Sequence, residues 1–67
     1  MKIIVNKTRH EFKEEKLSIT KILEKLNYTF PIIVVKHNDI VVQRPDFDSY
    51  FVTDGDDITI MHIFAGG

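Results

Sequence analysis

By type and spacing, the residues best suited to chemistry are the last four, Phe64-Ala65-Gly66-Gly67. Two glycines in succession lack Cβ atoms, reach backbone conformations closed to other residues, and can pass through a channel too narrow for side chains. The group they present is an α-carboxylate, ionised at neutral pH with a pKa of about 3.5 and a poor electrophile until it is activated. Gly67 is therefore the expected reactive position, with Gly66 beside it, Ala65 kept small for the same threading reason, and Phe64 as an anchor in a partner. The competing reading is a frayed end, where glycine is also common.

Other chemistry-bearing residues are less organised. His10, His37 and His62 fall on different predicted elements without ligand-like spacing, so no metal site is expected. Glu14-Glu15 and the aspartate-rich loops supply paired carboxylates, but without a cleft they read as solvated faces. Arg44 reads as a residue that satisfies loop carbonyls, with an acidic partner group as the alternative. No catalytic residue is assigned to this chain.

Composition narrows the function classes further. At 67 residues the chain makes one small domain, too short for a deep cleft between lobes, so partners are expected to supply most of the chemistry. A hydrophobic content of 43% argues for a packed globule, and no apolar stretch is long enough for a membrane span. With no cysteine there is no disulfide, no thiolate ligand and no thiol nucleophile. A net charge of -1 lacks the basic footprint of a nucleic-acid binder. Residues 1–5 are too short for the apolar core of a secretory signal, and the chain is expected to be soluble and cytoplasmic. Lys2, Lys7, Arg9, Lys13, Lys16, Lys21 and Lys25 weight the first part of the chain with positive charge. Asp39, Asp46, Asp48, Asp54, Asp56 and Asp57 weight the last part with negative charge, a pattern that fits solvated loops or steering toward a basic partner.

The elements that must position the end follow from local patterning. Residues 1–5 are rich in β-branched side chains and residues 9–13 form a second strand after a turn at Asn6-Lys7, making a hairpin. Ser18 is the expected N-cap of a helix whose apolar residues Ile19, Ile22, Leu23 and Leu26 recur at helical spacing, with Leu17 and Ile22 as a hydrophobic staple. Asn27 suits the C-terminal cap and Pro31 prevents continuation. Residues 32–36 form a strand, His37-Asn38-Asp39-Ile40 a tight turn, and residues 40–43 a short return strand ended by Pro45. Residues 46–53 read as a loop that folds over the core, because Phe47, Tyr50, Phe51 and Val52 are too many large groups to leave in water. Asp54-Gly55-Asp56 is a turn and residues 58–63 are the last strand. One amphipathic helix among these strands buries its apolar stripe against a mixed sheet, with first and last strands parallel. The expected class is α+β, a ubiquitin-like β-grasp of four to five strands over residues 1–63, with residues 64–67 as a flexible tail. Alternation along the last strand directs Ile58 and Ile60 toward the helix, and Thr59, Met61 and Ile63, joined by Ile4, to the other face.

In this order the residues resemble the ThiS family of sulfur carriers of thiazole (thiamine) biosynthesis, over essentially the whole chain. The resemblance rests on Asn38 at the hairpin turn, Val41-Val42 with Arg44 two positions on, and Phe47 where the family often has Trp. It continues through Asp54-Gly55-Asp56 and the Phe64-Ala65-Gly66-Gly67 end, with no insertion needed. Three residues depart from the family pattern. Gln43 stands where Pro commonly precedes the Arg, Pro45 follows it instead, and His37 takes a usually apolar position.

The resemblance implies a carrier rather than an enzyme. An E1-like adenylating enzyme of the ThiF type would activate Gly67 with ATP, and a sulfur donor such as a cysteine desulfurase would displace AMP. A thiazole synthase of the ThiG type would then consume the C-terminal thiocarboxylate. ATP belongs to the partner, and no cofactor is expected on this chain. With no thiol of its own, the chain can hold transferable sulfur only at its terminus. Ile4, Met61 and Ile63 would form a docking patch for the adenylating enzyme, or merely the exposed apolar residues of a thinly covered sheet. Three other functions fit the same sequence: a carrier for molybdopterin or another sulfur pathway, a ubiquitin-like modifier joined through Gly67 to lysine, and a non-covalent interaction module.

Overall fold

The computed structural model describes residues 1–28 and 33–62, with His62 described through its backbone alone. The boundary expected between a domain at 1–63 and a tail at 64–67 lies outside the described residues, as do Pro31 and Ile32. Strand β1 (Lys2–Val5) pairs antiparallel with β2 (Thr8–Glu11), and the hairpin turns through Asn6 and Lys7 at φ 50° and 67°. Successive positive φ values match the right-handed twist of the flanking strands, and asparagine tolerates that region better than most residues. The second strand ends at Glu11 rather than running through residues 9–13.

Strand β3 (Lys16–Ser18) leads directly into helix α1 (Ile19–Lys25). Seven residues are too few for a helix to be stable alone, so its ends and its buried face must hold it. Ser18 is the N-cap, its hydroxyl accepting the Lys21 N–H at 3.2 Å. The N–H of Tyr28 donates to the Leu23 carbonyl at 2.9 Å and that of Asn27 to the Glu24 carbonyl at 3.2 Å, with Asn27 at φ 61°. This is a Schellman end with asparagine in the position that usually takes glycine. Ile19, Ile22 and Leu23 enter the apolar core beside Leu17.

Strands β4 (Ile33–His37) and β5 (Ile40–Val42) form a hairpin closed by Asn38-Asp39. Residues 46–53 are not a plain loop. After a 3-10 turn at Arg44–Asp46, strand β6 (Phe51–Thr53) pairs antiparallel with β3, placing Leu17 opposite Val52. This second, two-stranded sheet is absent from the sequence reading because three-residue strands carry too little alternation to register. The segment also satisfies the start of α1: the Ile19 N–H donates to the Tyr50 carbonyl at 3.0 Å and the Thr20 N–H to the Phe47 carbonyl at 3.3 Å. Phe47 and Val52 are buried as expected, whereas Phe51 is exposed beneath the Lys16 ammonium, 4.7 Å from its ring centre.

Strand β7 (Asp57–His62) completes a five-stranded sheet in the order β2-β1-β7-β4-β5. It runs parallel to β1 and antiparallel to β4. One face carries Ile3, Val5, Ile33, Val35, Val42, Ile58 and Ile60 into a single core with the helix. This is the β-grasp arrangement.

Two of the three departures from the family pattern, Pro45 and His37, have local causes. Pro45 lies in the first turn of the 3-10 segment, where its fixed φ suits the bend and no N–H is needed. His37 points toward the core side with its Nδ1 against the Tyr50 hydroxyl, while its Nε2 lies 3.0 Å from Asp56 Oδ2 without hydrogen-bond alignment. A residue in this position need not be apolar when both its ring nitrogens face polar groups.

Replacing Ser18 with alanine removes the cap and should cost about 1 kcal/mol, a fall in Tm of roughly 4–8 °C for a domain of this size. An unchanged melting curve would show that the loop carbonyls alone hold the helix start. Asp56 generates a pH dependence. Burial pushes its carboxyl up, but the Thr53 N–H at 2.9 Å, the His37 ring and the Thr53 hydroxyl outweigh burial and hold it below its ordinary value. A depressed carboxyl contributes stability that is present above its unfolded pKa of about 3.9 and is lost as pH falls through the lower folded value. Melting of wild type and Asp56→Asn between neutral and strongly acidic pH should show the wild-type advantage shrinking below about pH 4; parallel profiles would contradict it.

Candidate functional site

Strand β7 is the element that leads toward the last residues, and the turn before it sets where it starts. The Lys2 N–H donates to Asp54 Oδ1 at 2.6 Å, the Gly55 N–H to the Lys2 carbonyl at 2.8 Å, and the Ile4 N–H to the Asp56 carbonyl at 3.0 Å. Gly55 sits at φ 89°, a conformation that strains any residue with a Cβ. The Asp54-Gly55-Asp56 motif thus locks the entry of β7 alongside β1.

Two asparagines then clasp the strand, one from each flank. On the β4 side the Asn38 N–H donates to the Asp57 carbonyl at 2.7 Å and Asn38 Oδ1 accepts the Asp57 N–H at 3.3 Å. On the β1 side the Asn6 N–H donates to the Ile58 carbonyl at 2.9 Å. The Asn6 side chain continues that ladder: Oδ1 accepts the Ile60 N–H at 2.7 Å and Nδ2 donates to the Ile60 carbonyl at 3.1 Å. Nδ2 also donates to the Tyr28 hydroxyl at 3.1 Å, tying the clasp to the end of the helix. Both asparagines adopt positive φ, 50° at Asn6 and 54° at Asn38. The sequence marks them as turn formers; nothing local signals that their amides reach a strand distant in sequence.

The helix-free face of the sheet carries Ile4 and Met61 of the expected docking patch, while Ile63 lies outside the described residues. Met61 is 44% exposed and pairs with half-buried Val34, while Val41, 49% exposed, sits opposite Lys36 on the same face. Ile4 is on this face too, but the register sets it between Arg9 and Asp57, four residues along β7 from Met61 and about 13 Å away. Met61 and Val34 are brought together, and Ile4 stands apart among charges. One shallow depression here is lined by Lys7, Lys36, Asn38, Asp39, Asp57 and Thr59, and another by residues including Lys2, Ile4, Arg9 and Glu11. Both mix charges of the two signs. His10, His37 and His62 fall on β2, β4 and β7, and among the described residues no three metal-ligating side chains gather. No helix among those residues is long and apolar enough to cross a membrane.

Ile63, Phe64, Ala65, Gly66 and Gly67 lie outside the described residues. The comparisons with known proteins bear on the whole span. The ThiS family model matches residues 3–67. The crystal structure of the thiamine biosynthesis protein ThiS from Geobacter metallireducens matches with a TM-score of 0.89 and 29% identity, covering 100% of both chains. The solution structure of a thiamine biosynthesis protein from the same organism matches with a TM-score of 0.81 and 30% identity, covering 100% of this chain and 88% of that one. No curated protein matches at a significant level. With the family model spanning residue 3 to residue 67 and the sheet order, helix and turn motifs in place, the chain belongs to the ThiS family.

Proposed function

We propose that this chain is a sulfur carrier of thiamine biosynthesis and that its Gly67 carboxylate is the group that carries the sulfur. The observation that supports the reading most is the extent of the family match, which includes Gly66 and Gly67. The chain itself is not the catalyst. An E1-like partner of the ThiF type binds ATP, the Gly67 carboxylate attacks the α-phosphorus, and pyrophosphate leaves. A sulfur nucleophile carried by a donor such as a cysteine desulfurase then attacks the acyl carbon and AMP leaves. Because that nucleophile is the donor's persulfide, the product is an acyl disulfide. A second thiol attacks the donor's sulfur, forms a disulfide with it and releases the thiocarboxylate, whose sulfur a thiazole synthase of the ThiG type takes.

The chain's own residues supply recognition and delivery. Met61 and Val34, with Val41 nearby and Lys36 between the strands, form an apolar surface with a charged margin on the helix-free face. Such a composition fits a partner that docks, reacts and leaves, since interfaces of that kind pair an apolar centre with a polar rim. Ile63 extends this proposed surface in sequence. Ile4, surrounded by Arg9 and Asp57, belongs to its rim rather than its centre.

Incubation with the cognate adenylating enzyme, ATP and a sulfur donor should add about 16 Da at the C-terminus, sulfur replacing oxygen. A protein lacking Gly66 and Gly67 is the control and should gain nothing. No mass change with an enzyme proven active on another carrier would sink the reading, and isopeptide-linked lysine adducts would move it to a ubiquitin-like modifier. On the docking face, Met61→Glu should raise KM for the carrier about tenfold while leaving Tm nearly unchanged, because the side chain is exposed. An unaltered KM would remove Met61 from the interface.

A further inference from the structure

We propose that Asn6 is a positioning residue for the Gly67 carboxylate: its side-chain amide replaces the strand that β1 no longer provides and fixes the course of β7 toward the terminus. The inference rests on reading Gly67 as the reacting group. Strand β1 pairs with β7 at only two positions, Ile4 with Asp57 and Val5 with Ile58, before it turns away at Asn6-Lys7. Main-chain groups alternate sides along a strand, so Ile58 and Ile60 direct theirs toward β1 while Asp57 directs its own toward Asn38. At Ile60 the β1 backbone is gone. Asn6 Oδ1 and Nδ2 take the Ile60 N–H and carbonyl at 2.7 and 3.1 Å, a two-point contact that imitates a peptide group.

Three features separate this contact from ordinary turn packing. It falls two residues before His62, at the end of β7 nearer Gly67, on the flank that β4 does not reach. The orientation of the amide is fixed at both ends: Oδ1 must face the Ile60 donor, and Nδ2 is shared between the Ile60 carbonyl and the Tyr28 hydroxyl at 3.1 Å. The Asn38 clasp is of the same chemical kind but holds Asp57, at the far end of the strand. Loosening at Asn38 therefore leaves the Ile60 end of β7 held on both flanks, whereas loosening at Asn6 leaves that end held by β4 alone.

Asn6 at φ 50° sets the choice of variants. Asn6→Gly keeps the turn without strain and deletes the amide, and water can reach the vacated position because Asn6 is exposed. Asn6→Asp keeps the shape but turns the donor into an acceptor facing the Ile60 carbonyl and the Tyr28 oxygen. Tyr28→Phe is milder, removing only the hydroxyl that shares Nδ2.

The test is ATP–pyrophosphate exchange by the cognate adenylating enzyme with the carrier as varied substrate, run below the Tm of every variant. Asn6→Gly and Asn6→Asp should lower kcat about tenfold or more with KM within about threefold, since a misplaced reacting group costs rate rather than docking. Tyr28→Phe should lower kcat less, and Asn38→Gly should lose stability yet keep kcat. Amide exchange in Asn6→Gly should show the Ile60 N–H deprotected and the Asp57 N–H unchanged. Wild-type kcat in the folded Asn6 and Tyr28 variants, or an equal loss in Asn38→Gly, would overturn the proposal. Failure of the wild-type carrier to support any exchange would instead overturn the Gly67 reading beneath it.

Discussion

The structure depends on the placement of β7 at the centre of the sheet, parallel to β1 on one side and antiparallel to β4 on the other. A parallel neighbour cannot be reached through a tight turn, so everything between β1 and β7 must form the crossover. The helix, the second sheet and the β4–β5 hairpin are consequences of that single pairing. Because β1–β7 spans only two residue pairs, main-chain pairing alone leaves the strand lightly held on that flank, and side chains complete it. Asn6 does so with an amide that matches a peptide group in geometry, Asn38 holds Asp57 from the β4 flank, and positive φ values let both residues close their hairpins.

A domain this small has few layers in which to hide polar groups, and it resolves the shortage locally. The segment between β5 and β7 contributes Phe47 and Val52 to the core while its carbonyls cap the first amides of α1. The same segment brings Tyr50 to His37, and the following turn brings Asp56 to the other ring nitrogen. Burial of a histidine is tolerated in β4 because its polar edge meets polar groups rather than aliphatic ones. The same short stretch of chain thus supplies two buried apolar residues of the core and part of the polar network beside it.

The distribution of functional groups follows from size. Among the described residues a sheet with one helix on one face encloses no deep cleft, and the chain has no cysteine to act as nucleophile. What such a scaffold offers is a second sheet face and a strand that ends beside it. Met61 on that face and the Asn6 contact with Ile60 on the strand's flank lie at adjacent positions of β7.

Local signals were enough to establish the helix with its Ser18 cap and Asn27 end, the two hairpins, the Asp54-Gly55-Asp56 turn and the β-grasp order, because capping, turn chemistry and strand alternation act within a few residues. The resemblance of the whole chain, including its diglycine, likewise needed only sequence. Beyond the parallel pairing of the first and last strands, long-range partners were not legible. The pairing of β3 with β6, the ring contacts of His37, the separation of Ile4 from Met61 and the reach of Asn6 to Ile60 all join residues far apart in the chain. Their registers are decided only when the sheet closes, since a hydrogen bond between distant segments has no expression in the spacing of either one.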